Sequence, residues 1–210
     1  LPILQLVAYG AQDIYLSGNP QITFFKVVYR RHTNFAVESI EQTHNGSVAS
    51  KSKISVTVSR NGDLLSQVWL VTTGASSETI TPEQAFRQID NVEVEIGGQV
   101  IDKQYGHWMQ VWTDLSNPTD KTALLDSCAK TTTSTGENSY VPLQFWFCRN
   151  PGLALPLIAL QYHEVKLNIT FSATADTTDA GSQTLGSVAV WCDYVFLDTD
   201  ERRRFAQVSH

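Results

Sequence analysis

Cysteine is scarce and scattered. Cys128, Cys148 and Cys192 form no CxxC pair and no matching Cys/His set, which excludes a disulfide framework and a zinc site of the usual spacing and reads as buried, reduced thiols. Histidine is equally dispersed. His32, His44, His107, His163 and His210 give no HxH and no HExxH, so the closely spaced ligands of a metal-dependent enzyme are missing. Nor is there a GxSxG elbow or a Gly-rich loop opening a helix, and nucleophilic catalysis and nucleotide binding therefore lack a motif. No enzyme and no cofactor are expected. No run of 18 apolar residues occurs that would make a membrane-spanning helix. The opening Leu1-Pro2-Ile3-Leu4-Gln5-Leu6-Val7 lacks a basic segment and a small-residue cleavage site. It therefore reads as cytosolic synthesis without a secretory signal, from a terminus trimmed of its Met.

Positive charge is also thin, with 15 Lys and Arg against 21 Asp and Glu. Residues 1–60 carry six cations against three anions, and residues 61–210 nine against eighteen. A phosphate backbone needs a concentrated cationic footprint, so direct nucleic-acid binding is not expected.

What is present is a globular composition, 42% hydrophobic and 10% aromatic over 210 residues, a size suited to one all-β domain. Ile54, Val56 and Val58 alternate with polar residues as in a half-wet strand, and Asn61-Gly62-Asp63 reads as a hairpin turn into a returning strand from Leu64 to Val71. In that strand Val68-Trp69-Leu70-Val71 is continuous, so both faces should be covered. Thr81-Pro82-Glu83-Gln84 opens a short helix. Val92, Val94 and Ile96, then Gly97-Gly98, then Gln99 to Tyr105 form a second hairpin. Trp108, Val111, Trp112 and Leu115 fall on one helical stripe, expected to face the core as the helix caps a barrel.

Thr119 to Tyr140 reads as an exposed loop, and Leu143, Phe145 and Phe147 as an alternating strand before the Arg149-Asn150-Pro151-Gly152 turn. Leu153 to Leu160 is apolar but broken by Pro156, which suits buried irregular structure. Val165, Leu167, Ile169 and Phe171 alternate clearly, placing Asn168 outward, and Val188 to Leu197 suits a central strand covered on both faces. The tally is eight strands. The expected fold is an all-β, eight-stranded antiparallel jelly-roll sandwich with short helices in its connections.

Leu6 to Ser39 is too patterned for a linker and too interrupted for one element. Ser17-Gly18-Asn19-Pro20 makes a corner, and Ile22 to Tyr29 resumes as a strand. The phrases Asp13-Ile14-Tyr15-Leu16, Gly18 to Lys26 and Tyr29-Arg30-Arg31 resemble the amino-terminal segment of the major capsid proteins of nucleocytoplasmic large DNA viruses, the algal-virus type. Ile96 to Asp102 and the closing Asp198 to Ala206 resemble the same family. The resemblance implies a structural coat protein whose chain is the first barrel of a double jelly roll. It also implies trimeric, pseudo-hexagonal capsomers of an icosahedral shell, with neighbouring capsomers and minor capsid proteins as partners, an internal membrane nearby, assembly in the host cytoplasm and residence in the virion.

On this reading residues 1–34 are an arm and lead-in strand, 35–198 the jelly roll, and 199–210 the start of an interdomain linker. Tyr15, Asn19, Pro20, Phe24 and Phe25 are the candidate assembly arm. The loops from Thr72 to Gln84 and Thr119 to Tyr140 are candidate edges. Arg30 and Arg31 with Arg202, Arg203 and Arg204 are candidate basic contacts, set against the plainer reading of a solvated face. The sequons at Asn45 and Asn168 are expected to stay unused. The alternative class is a carbohydrate-binding, lectin-like jelly roll, which exposed tryptophans would favour.

Overall fold

The computed structural model describes residues 34–74, 82–121, 123, 138–173 and 185–207, and from Phe35 onward they belong to one compact unit. One sheet is built from β1 (Phe35–Gln42), β10 (Leu185–Leu197), β4 (Leu64–Gly74) and β7 (Asn138–Pro142) in that spatial order, with the two-residue β8 (Leu155–Pro156) also on β4. The other runs β2 (His44–Asn45), β3 (Lys53–Thr57), β9 (Val165–Phe171), β5 (Ile89–Ile96), β6 (Gln99–Tyr105). Every pairing is antiparallel. First and last strands lie side by side, and successive strands repeatedly change sheets. That interleaving is the jelly-roll sandwich expected from the sequence. Ten strands occur among the described residues against the eight expected, and β2 and β8 are two-residue additions.

The core lies between the sheets because the period-2 residues of each meet there. Ile54 and Val56 from β3, Val92 and Val94 from β5, and Leu167, Ile169 and Phe171 from β9 face Leu65, Val68 and Leu70 from β4 and Val190, Cys192 and Tyr194 from β10, all buried. At about 1.5–3 kcal/mol per buried aliphatic or aromatic side chain, this layer is the main favourable term in folding. Two of its polar members, Tyr194 and Gln42, are matched. The buried Tyr194 hydroxyl donates to the Ser59 carbonyl at 2.7 Å, and the Gln42 side chain accepts from the Ser59 N–H at 2.9 Å while donating to the Ile40 carbonyl.

Three sequence expectations are corrected. Asn61-Gly62-Asp63 is not a hairpin, since β3 pairs with β9 and β4 with β10. The Val58 N–H donates to Val165 in one sheet and the Asp63 N–H to Val195 in the other. The chain thus crosses between sheets here, and a Cβ on Gly62 would sit 2.7 Å from that of Tyr194. The glycine serves close passage over the tyrosine. At Gly97 and Gly98 the hairpin does form, with φ of 61° and 86°, the left-handed pair its turn requires.

Next, α1 (Pro82–Arg87) and α2 (Gly106–Ser116) occur as helices, but α2 is rotated from its expected phase. Gly106, Met109 and Thr113 are buried, while Trp108, Val111 and Leu115 are 46%, 47% and 81% exposed. The phase is set at the first residue. A Cβ on Gly106 would lie 2.2 Å from the carbonyl oxygens of Phe86 and Ile89, so this is the face that packs tightly, and the apolar stripe turns away.

Finally, the strand expected around Leu143 to Cys148 lies earlier, at β7, inside the stretch read as loop up to Tyr140. Residues 146–149 form the single-turn α3 (Trp146–Arg149). The alternation at Leu143, Phe145 and Phe147 is genuine burial, achieved by irregular backbone. β10 is central as expected, flanked by β1 and β4, yet its outer face is only partly covered.

Candidate assembly surfaces

The two outer sheet faces differ in chemistry. Across β3, β9 and β5 the outward residues are polar or charged, and ion pairs form within the face: Glu93 takes Lys53 and, from β6, Lys103, each at 3.1 Å, and Lys166 takes Glu164 at 2.8 Å. Hydrogen bonds from Lys103 and then Lys53 hold the Glu93 carboxyl below its ordinary value. Asn168 shares this face, as expected, but lies nearly buried and donates to Glu95 at 3.1 Å. Such a face suits water.

Across the other sheet the outward positions are mostly apolar and include the aromatics Phe35, Trp69, Tyr140 and Trp191. Register sets Trp69 opposite Trp191, Val71 opposite Tyr140, and Ser39 opposite Asp193. Together with Asn138 they line an open groove of about 590 Å³. The Asp193 carboxylate accepts from the Ser39 hydroxyl and, at 3.4 Å, from the Trp69 indole N–H. Sequence reasoning missed this groove because its walls come from four strands. The available signal was a single tryptophan in each of two otherwise aliphatic runs, Trp69 and Trp191.

A second apolar area is the outward face of α2. Trp108 and Trp112 stand with ring centroids 6.0 Å apart, and the Arg149 guanidinium lies 4.2 Å from the Trp112 ring centre. Val100, Ile101 and Tyr105 on the edge strand β6 are about half exposed.

Asp63 organises the end of the barrel. Its side chain is 8% exposed, and it accepts from the Leu197 N–H at 2.8 Å and from Arg202 Nε at 2.9 Å. Arg202 belongs to α4 (Thr199–Gln207), so the stretch read as linker is helical here. Of the basic cluster, Arg202 is thus tied to the barrel, and Arg203 and Arg204 are exposed. Arg30, Arg31 and the arm residues Tyr15, Asn19, Pro20, Phe24 and Phe25 lie outside the described residues, as does Cys128. Asn45 is exposed on β2. Burial pushes the Cys148 and Cys192 thiols up to about 12. Among the described residues no three His, Cys, Asp or Glu side chains gather to hold a metal ion.

The model of the family described as "Major capsid protein N-terminus" matches residues 23–198. The chain belongs to that capsid family. It is 54% identical to the major capsid protein of Pyramimonas orientalis virus, covering 99% of this chain and 56% of that one. It is 49% identical to the major capsid protein of Paramecium bursaria Chlorella virus 1, covering 98% and 50%. This capsid-family chain therefore spans about half the length of the curated relatives it matches. Among solved structures it is similar to PBCV-1 VP54, with a TM-score of 0.75 at 44% identity over 90% of this chain and 48% of that one. The Faustovirus major capsid protein shares the fold, with a TM-score of 0.66 at 11% identity, covering 94% of this chain and 60% of that one.

Proposed function

We propose that this chain is the first barrel of a viral coat subunit, and that three copies of the natural-length polypeptide close into a pseudo-hexagonal capsomer tiling an icosahedral shell. The observation that carries this reading is the shared fold with VP54 at 44% identity, supported by a relative of similar fold within the PBCV-1 virus capsid. A rigid sandwich whose outward faces differ in chemistry is suited to repeated, oriented contact. Closed rotational symmetry turns one such contact into a ring. The role is structural, with no catalytic step.

The partners on this reading are other copies, neighbouring capsomers and minor capsid proteins, with an internal membrane close by. The polypeptide is made and assembled in the host cytoplasm and ends in the virion. The arm from Leu6 to Phe25 seats the capsomer, and Arg203 and Arg204 offer basic contacts to an acidic neighbour. The test is sedimentation and electron microscopy of the natural-length polypeptide, with and without Leu1 to Gln21. Trimers that build shells, lost on truncation while the circular dichroism of the barrel persists, are expected. A polypeptide that stays monomeric at all concentrations overturns the reading.

The groove between Trp69, Trp191 and Tyr140, with Trp108 exposed elsewhere, favours a second reading as a carbohydrate-binding module. It ranks lower because a sugar site needs several convergent polar groups, and here the polar wall is short and partly engaged within the sheet. Defined binding on a glycan array by the isolated chain would raise it above the first.

A further inference from the structure

We propose that the outer face of the β1-β10-β4-β7 sheet docks a neighbouring capsid polypeptide, which places an apolar side chain between Trp69, Trp191 and Tyr140 and a Lys or Arg against Asp193. The inference deepens the coat-subunit reading and rests on it.

The outward positions of the four strands follow from register. They are Phe35, Val37, Ser39 and Glu41 on β1, Ala189 to Leu197 at every second residue on β10, Gln67 to Thr73 likewise on β4, and Asn138, Tyr140 and Pro142 on β7. None of these positions is Lys or Arg, and the charged ones are Glu41 and Asp193. An antiparallel sheet that meets water on one side normally alternates apolar inward with polar outward. Strands β3, β9 and β5 of the other sheet do so, and this sheet does not. Val37 remains 58% exposed and Phe35 65%.

Charge selects the partner. The Asp193 oxygens are held in place by Ser39 and Trp69, and a carboxylate retains acceptor capacity beyond two such bonds. With aromatic walls and no cation paired to Asp193 among the described residues, the groove complements an apolar segment flanked by a cation. A second copy presenting this same face would bring anion to anion.

Area selects the setting. Four strands about 4.8 Å apart and about six residues long make a face of roughly 400 Å², near the upper range of what a monomer leaves bare. It is about half of the roughly 800 Å² per partner of a standard interface. Such a face does not sustain a free complex by itself, but it contributes fully where other contacts hold the neighbour in place, as in a shell.

The experiment uses the natural-length capsid polypeptide, with Trp191→Ala and Asp193→Lys as separate variants and Lys53→Ala on the opposite sheet as control. Both groove variants are expected to keep the circular dichroism of the barrel and to raise the concentration needed for capsomer formation by roughly tenfold or more, as for a central aromatic anchor. The control leaves it unchanged. A photo-crosslinker replacing Tyr140 is expected to trap a capsid peptide that carries Lys or Arg beside apolar residues, and this readout stands even if a groove variant misfolds. Wild-type assembly with both folded variants assembling equally well, or a crosslinker in assembled particles that captures carbohydrate or nothing, overturns the docking inference and leaves the coat reading intact. Failure of the wild type to assemble at all overturns the coat reading and this inference with it.

Discussion

Replacing Asp63 by alanine tests how the barrel fixes its C-terminal helix. The carboxylate, 8% exposed, takes two donors: the Leu197 N–H at 2.8 Å and Arg202 Nε at 2.9 Å. Removing it strips the last residue of β10 of a charge-assisted hydrogen bond and leaves that N–H without its acceptor, at a cost of about 1.5–3 kcal/mol. The ion pair adds at most about 1 kcal/mol, because the Arg202 side chain is 55% exposed and its charge is screened. Asp63→Ala should therefore destabilise by about 1.5–4 kcal/mol, and Arg202→Ala by about 0–1. For a chain of this size that separates them as a melting shift of roughly 3–16 °C against a few degrees or less. Asp63→Asn keeps an acceptor for Leu197 and should resemble Arg202→Ala. Guanidinium unfolding followed by tryptophan fluorescence, with thermal melts alongside, measures all three. Equal losses for Asp63→Ala and Arg202→Ala, or an Asp63→Ala loss under about 0.5 kcal/mol, would refute the assignment of the work to the buried acceptor.

Glu93→Gln should cost at most about 1 kcal/mol at neutral pH, since both lysines are substantially exposed. The folded carboxyl titrates below its ordinary 4.5 because Lys103 and Lys53 bond to it, so the stabilisation is complete above 4.5 and lost as pH falls through the lowered value. Urea titrations at several pH values should show the gap closing on acidification, and a gap that widens would contradict this. Cys148 and Cys192, with thiols pushed up to about 12 by burial, should resist alkylation at pH 8 until the chain unfolds. Peptide mapping that finds either labelled as fast as a free thiol would count against their burial. Asn168, nearly buried and bonded to Glu95, should carry no glycan, and Asn45 none of the endoplasmic-reticulum kind; mass spectrometry detecting a high-mannose chain at either would overturn the expectation.

The sequence by itself determined what depends on neighbours along the chain. Alternation at Ile54 and Val56, and again from Val165 to Phe171, marked strands because a pleated backbone sends every second side chain to one face. Gly97-Gly98 marked a hairpin because positive φ is a local demand. The jelly-roll class followed from the number and kind of such segments. Tertiary structure alone decided the rest. The Asn61-Gly62 pair carries the same local signal as a hairpin, yet whether the next strand pairs back or crosses to the other sheet is settled by β9 and β10, more than a hundred residues away. The stripe at Trp108, Val111 and Leu115 has helical period, and period does not say which way a helix is turned. The close contact of Gly106 with the Phe86 and Ile89 carbonyls does. Trp69 and Trp191 become neighbours only through the β4–β10 register, so the groove between them exists in no window of sequence and appears only when the sheet closes.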